Sequence, residues 1–363
     1  MENIALDLGF LEEVEPWKLE SRYFPSKVGG KPAWLELSSN ILNFSSLMCH
    51  KCQEPLIFMC QVYAPIETDD KCFHRTIFVF ICRNEKCCLD NCASNVKVFR
   101  NQLKRDNCYY PFDPPTEDET WRNDLTAELF NVKLCEICGI KSSSYCAKCK
   151  FIYYCSKSHQ VYDWKNRHKA ECDNLYTAKS DTNNKLNTSF ENSILFPEFE
   201  LVMESEDVLD KVSTNAVDSN LEMIKYNEMV AEGEAGVLHD VPAVEEELAK
   251  FALGNDDKAF TKFKDCIKHS PDQVMRYNRG GKPLWISDLH QPSESDVPNC
   301  QYCDGKRIFE FQILPQMLNY LGLETTKSSI DWGTLAIYTC ENSCKFGPSY
   351  KEEFVWKQDI QNK

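Results

Sequence analysis

No stretch of this chain comes near the roughly 18 consecutive apolar residues that a membrane helix needs, so no helical span is expected. The opening residues Met1-Glu2-Asn3-Ile4-Ala5-Leu6-Asp7 lack the basic and then apolar stretches of a secretory leader, which predicts no secretion. Positive charge is also short. A formal net charge of −15 speaks against a general nucleic-acid binder, which turns a basic face to phosphates. Histidine is sparse, and His50, His74, His239, His269 and His290 stand singly, as surface or turn residues do rather than acid–base catalysts. There is no glycine-rich nucleotide loop, no Ser or Cys nucleophile in a recognisable setting and no open three-ligand metal site. Gly29-Gly30-Lys31 is followed by Pro32, which suits a turn feeding a strand and not a phosphate loop. The expectation is a chain that is not an enzyme.

Cysteine, by contrast, is plentiful, with 20 in 363 residues. In an intracellular setting thiols stay reduced, and closely spaced cysteines are better explained by zinc than by disulfides. With 42% apolar residues the chain is long enough for two or three domains with real cores.

The negative charge is concentrated. Between Phe190 and Lys250 there are sixteen acidic and three basic residues, so the rest of the chain is almost neutral. Apolar residues are scattered there without a steady period, which predicts a disordered acidic linker over 173–242. Periodicity resumes near Val244, where Leu248, Phe251 and Ala252, then Phe260, Phe263 and Ile267, read as two helices broken around Gly254. The expected divisions are 1–134, 135–172, 173–242 and 243–363.

An internal repeat appears at a shift of 251. Gly29-Gly30-Lys31-Pro32 recurs as Gly280-Gly281-Lys282-Pro283, Trp34 as Trp285, Cys49 and Cys52 as Cys300 and Cys303, and Ile57, Phe58 and Gln61 as Ile308, Phe309 and Gln312. Composition alone would give roughly two such identities in this window, not ten. Trp34 and Trp285 are expected to anchor cores. Each copy continues into an apolar run ending in cysteine, Thr76–Cys82 and Thr334–Cys340, whose β-branched and aromatic residues predict strands buried on both faces.

Both copies supply a zinc-ribbon ligand set: Cys49, Cys52, Cys82 and Cys87 in the first, Cys300, Cys303, Cys340 and Cys344 in the second. Cys88 or Cys92 stands close enough to replace Cys87. Four-coordinate closure leaves no open position, so both read as structural. Cys60, Cys72, Cys108 and Cys266 have no paired neighbour and read as core thiols.

Between the copies, Cys135-x2-Cys138, Cys146-x2-Cys149, Cys155-x3-His159 and His168-x3-Cys172 place eight ligands in 38 residues, enough for two zinc ions. The last three, with Cys155 immediately before them, fall on a segment with helical spacing, Ser156 to Cys172. This order resembles the MYND-type finger. The resemblance implies that Cys135, Cys138, Cys155 and His159 hold one ion and Cys146, Cys149, His168 and Cys172 the other, with His159 standing where most such fingers have Cys. So small a unit draws its stability from metal, on the order of 10–16 kcal/mol apparent. Phe151, Tyr153, Tyr154 and Trp164 either line a groove for a proline-containing peptide or form the finger's own small core.

With these pieces together, the whole chain resembles the programmed cell death protein 2 family. The likeness is carried by Leu8-Gly9-Phe10, Val28–Leu35, the Cys49 knuckle with Gln61–Pro65, Val98–Leu103, the finger, Phe309–Gln312 and Asp331–Thr334. It implies a non-enzymatic factor, cytoplasmic and nuclear, in 40S ribosome biogenesis: a dedicated chaperone whose client is a basic small-subunit ribosomal protein, small-subunit protein two. Neither direct nucleic-acid nor membrane binding is expected. An acidic segment such as 191–247 either shields a basic client or acts as a solvated spacer. The alternative is an adaptor that recruits proline-containing peptides in transcriptional regulation or in cell-death and proliferation control. The fold class expected is α+β, mainly β: two homologous zinc-ribbon-like halves pairing into one pseudo-symmetric body, the MYND finger and the linker inserted between them, and four zinc ions in all.

Overall fold

A computed structural model describes residues 6–177, 192–206, 258–323 and 329–360. It is mainly β. Ten strands close into a barrel: β1 (Asp7–Glu12), β2 (Lys27–Val28), β3 (Ile57–Tyr63), β4 (His74–Ile81), β5 (Val96–Leu103), β8 (Phe199–Ser205), β9 (Met275–Tyr277), β10 (Arg307–Ile313), β11 (Thr334–Cys340) and β12 (Lys351–Gln358). Around the barrel the order is β1-β8-β2-β3-β4-β5-β12-β11-β10-β9, and β9 closes on β1. Closure removes the exposed edges that an open sheet would offer to other chains.

The strand β4 explains why its sequence is apolar without alternation. Ile77, Val79 and Ile81 join a core with Phe311, Leu335, Ile337 and Val355 from the opposite wall, so this face lines the barrel interior. Phe78 and Phe80 point the other way, into an outer core with Trp34, Leu37, Leu47, Phe58 and Tyr350. Each such ring contributes about 1.5–3 kcal/mol by leaving water. Both β3 and β10 carry a bulge, between Phe58 and Cys60 and between Phe309 and Phe311. These positions correspond at the 251-residue shift.

Five expectations are corrected here. The segment assigned to a disordered linker contains β8, which pairs with β1 on one side and β2 on the other and buries Leu201. Residues 192–206 are therefore part of the body; 178–191 and 207–257 lie outside the described residues, as does the first of the two helices expected near Val244. The second of them is present as α3 (Lys258–Ile267), with Phe260 and Phe263 buried. The Gly29-Gly30 turn follows the short strand β2 instead of feeding one. Trp34 is a core anchor at 1% exposure, but Trp285 is only partly buried, packed at the edge of a small cluster with Phe354 and Trp356. Of the unpaired thiols Cys60 and Cys72 are buried, Cys266 is intermediate and Cys108 is exposed. His74 is no surface residue: it is buried, stacked on Phe24 at 4.4 Å, with Nδ1 2.9 Å from the Tyr63 hydroxyl.

No helix among the described residues is long and apolar enough to cross a membrane.

Candidate metal centres

Four Cys-x2-Cys knuckles share one backbone design. The residue four positions after the first cysteine has a positive φ: 62° at Gln53, 73° at Gly139, 66° at Lys150 and 57° at Asp304. Its N–H donates to the first cysteine's carbonyl at 3.0, 2.8, 2.9 and 2.8 Å respectively. This tight left-handed turn aims both thiols to the same side. The partners arrive from elsewhere: Cys82 directly after β4, Cys87 at the end of a single helical turn capped by Asn84, Cys340 at the end of β11, and Cys344 in the loop beyond it.

The result is four groups: Cys49, Cys52, Cys82, Cys87; Cys135, Cys138, Cys155, His159; Cys146, Cys149, His168, Cys172; and Cys300, Cys303, Cys340, Cys344. Within each group every ligand atom lies within 4.8 Å of the others. Cys88 and Cys92 are not in the first group; their thiols face the Asp331 carbonyl and the Ser94 hydroxyl at 3.3 Å each.

The finger positions its eight ligands on the turn that holds Cys135 and Cys138, on a two-stranded hairpin, β6 (Ser144–Tyr145) with β7 (Tyr153–Tyr154), whose loop carries Cys146 and Cys149 and which Cys155 follows, and on α1 (Lys157–Asp163), a π turn at Trp164–His168 and α2 (Lys169–Thr177). Ser156 caps α1 by accepting from the His159 N–H. His159 presents Nδ1 to Cys135 and Cys155, at 3.6 and 3.2 Å. His168 presents Nε2 to Cys149 at 3.5 Å.

These donor sets fit zinc. Thiolates about 2.3 Å from a tetrahedral ion stand roughly 3.8 Å apart, and sulfur pairs here lie at 3.6 Å (Cys52 and Cys82), 3.5 Å (Cys138 and Cys155), 3.8 Å (Cys146 and Cys172), 3.7 Å (Cys300 and Cys344) and 3.6 Å (Cys303 and Cys340). The electrostatics agree. Hydrogen bonds from Cys138 and Cys155 pull the Cys135 thiol far down, and the Gly305 N–H lowers Cys303, whereas burial raises Cys138 and pushes Cys344 up to about 12. One thiolate forms easily in these groups and the next is opposed, so a cation is what allows all to ionise.

The two finger centres have different surroundings. The first is fused to the barrel: Cys135, Ile137, Cys138 and Ile140 belong to the same core as Trp34, whose Nε1 donates to the Gly139 carbonyl at 2.7 Å. Lys141 N–H also donates to the Leu42 carbonyl at 2.9 Å. The second forms its own small cluster of Cys146, Cys149, Cys172 and Tyr154. Tyr154 is inside the finger, its hydroxyl donating to Asp163 at 2.7 Å, so it cannot line a peptide groove; Phe151 and Trp164 are exposed and Tyr153 is half-buried.

Comparison with known proteins agrees with this architecture. Family models match for the N-terminal domain of programmed cell death protein 2 over residues 5–117, its C-terminal domain over 257–359 and the MYND finger over 135–172. Programmed cell death protein 2 of Rattus norvegicus is 43% identical over 98% of this chain and 97% of its own length. Programmed cell death protein 2-like of Homo sapiens is 27% identical over 86% and 85%. "Probable 20S rRNA accumulation protein 4" of Schizosaccharomyces pombe is 33% identical over 24% of each chain. No solved structure matches.

Proposed function

The chain belongs to the programmed cell death protein 2 family, and on that premise we propose that it is a non-enzymatic assembly factor that escorts a small-subunit ribosomal protein, small-subunit protein two, in 40S ribosome biogenesis. The observation that carries this reading is the similarity to a relative named for 20S rRNA accumulation. In support, the four metal groups are all four-ligand sets that leave no position open for chemistry.

In this reading the body is two homologous halves related by a pseudo-two-fold axis. The strand order supports it: β2-β3-β4-β5 and β9-β10-β11-β12 run outward from two seams, β5 against β12 and β8 against β1. Each half holds one structural zinc and the finger two, with the ligands of the four groups above. The factor works in cytoplasm and nucleus. A newly made ribosomal protein is basic, and the acidic excess between 190 and 250 shields it until RNA takes over.

The test is affinity capture of the tagged chain under RNase, with bound proteins quantified by mass spectrometry at low and moderate salt. One basic small-subunit ribosomal protein in near-stoichiometric amount, without the rest of the ribosome, supports the reading. Its absence, with proline-rich regulatory proteins in its place, replaces the escort by an adaptor.

A further inference from the structure

Residues 192–206 lie along the body as a bound peptide lies in its receptor. They are joined to the finger and to α3 only through 178–191 and 207–257. Along their length the groups that hold them come from other parts of the chain, and most of these recognise backbone.

At one end the Asn192 side chain donates to the Ile137 carbonyl of the finger at 2.9 Å, and the Ser193 N–H donates to the Tyr162 hydroxyl at 3.0 Å. Arg83 then reads three successive carbonyls with one nitrogen, Ser193 at 2.8 Å, Ile194 at 2.6 Å and Leu195 at 3.2 Å, while its guanidinium lies 4.8 Å from the Phe196 ring. The next two residues pass so close to Gly29 and Gly30 that a Cβ at either would overlap the Pro197 carbonyl or the Glu198 side chain. Both glycines have positive φ, 69° and 65°, and the Gly30 N–H donates to the Phe196 carbonyl at 3.0 Å. From Phe199 the segment becomes β8, between β1 and β2.

Charge brackets the strand. Lys27, 2% exposed, pairs with Glu198, and Arg276, 6% exposed, pairs with Glu206 at 2.8 Å. Both cations are buried in the body, whereas the two carboxylates remain about one-third exposed, at 35% and 34%. Along the segment Phe196 and Leu201 are buried in the main core, Ile194, Leu195 and Met203 pack against it, and Phe199 and Val202 are only partly covered. With only two of its residues fully buried, such a segment is the kind of unit that opens locally without global unfolding. Its departure would leave Lys27 and Arg276 without their carboxylate partners, which favours refilling by another acidic strand.

We propose that the gap between β1 and β2, with Arg83, Gly29-Gly30, Lys27 and Arg276, is a strand-acceptor groove that residues 192–206 occupy in cis, and that it takes in trans an extended segment of another protein with the same chemistry. That segment would carry an aromatic residue followed by Pro, alternating apolar residues, and carboxylates eight positions apart. Recognition would be by strand addition. An acidic occupant is opposite in charge to a basic ribosomal client, so this groove is a separate surface and does not rest on the function proposed above.

The test uses the full chain with site-specific protease sites placed in 178–190 and 215–250, folded and then cut, so that the strap stays only by non-covalent contact. A fluorescein-labelled synthetic peptide of residues 192–206 is added and followed by anisotropy and native mass spectrometry, with near-UV circular dichroism reporting the body. The result expected is saturable one-to-one exchange with the dichroism unchanged, at least tenfold weaker for peptide carrying Glu198→Lys and Glu206→Lys and for the Arg83→Ala chain. In the uncut chain, Phe196→Ala with Leu201→Ala should open the groove and permit uptake of the same peptide. No exchange within a day, exchange only with loss of the near-UV signal, or uptake indifferent to the two carboxylates would overturn the proposal and leave β8 an integral closing strand.

Discussion

Arg75 and Glu310, 235 positions apart in sequence, form a two-pronged ion pair with both side chains fully buried, Nη2 to Oε2 at 2.6 Å. Tyr277 and Thr339 donate to the same carboxylate. Burial opposes charge on Glu310, but the Arg75 guanidinium outweighs it and holds the carboxyl below its ordinary range. The pair ties β4 to β10 through the barrel interior.

Removing one partner strands the other. Arg75→Met is expected to cost about 3–5 kcal/mol in urea unfolding, and Arg75→Met with Glu310→Leu less, because the double change removes both fully buried charges and leaves only the partly exposed Arg279, 3.7 Å from Glu310, without its carboxylate. Equal losses in the single and double variants would refute the pairing as the cause.

Acid should act in two separate windows. Burial first, then Arg105, lowers His74 from 6.5 to about 4, so the unfolded chain takes a proton that the folded one refuses, and stability falls as pH drops from about 6.5 to 4. Glu310 adds its loss only below its ordinary value of 4.5, because its folded carboxyl stays ionised lower still. In thermal melts between pH 7 and 4.5, His74→Gln should flatten the decline relative to the parent chain; an unchanged slope would assign the acid response elsewhere.

Metal analysis of the full chain by plasma mass spectrometry should return four zinc ions, falling by one for Cys303→Ser. Two ions in the parent would remove the ribbon centres from the assignment.

The two finger centres should fail differently. Cys135→Ser removes a ligand embedded in the Trp34 core and is expected to loosen the barrel as well as the finger, whereas Cys146→Ser should release one zinc and leave the barrel's melting nearly unchanged. Limited proteolysis with zinc counting distinguishes them. Likewise Trp34→Ala should cost about 3–5 kcal/mol, as truncation of a fully buried aromatic does, and Trp285→Ala clearly less.

Much of this was legible in sequence because the repeat and the cysteine spacing are local signals. The bulges at Phe58 and Phe309 and the four knuckles follow positions that pattern alone picks out. What escaped was hidden by averaging: Phe199, Leu201 and Met203 alternate with Glu200, Val202 and Glu204, yet the surrounding acidity masked seven residues of strand. The choice of Cys87 over Cys88 and Cys92 depends on a helical turn set by Asn84, and burial of His74 depends on Phe24, fifty positions away. Trp34 and Trp285 hold matching sequence positions, but only the first receives the finger, which adds to the Phe78, Phe80 and Tyr350 rings that cover it.

The seam between β5 and β12 pairs Arg100 with Lys351, and this fixes a timetable for the growing chain. At roughly 5–20 residues per second, β5 waits on the order of 12–50 s after its own synthesis before its neighbour exists. During that interval its edge is open, and any strand that covers it must let go when β12 emerges. Barrel closure thus cannot begin before the C-terminal strand has been made.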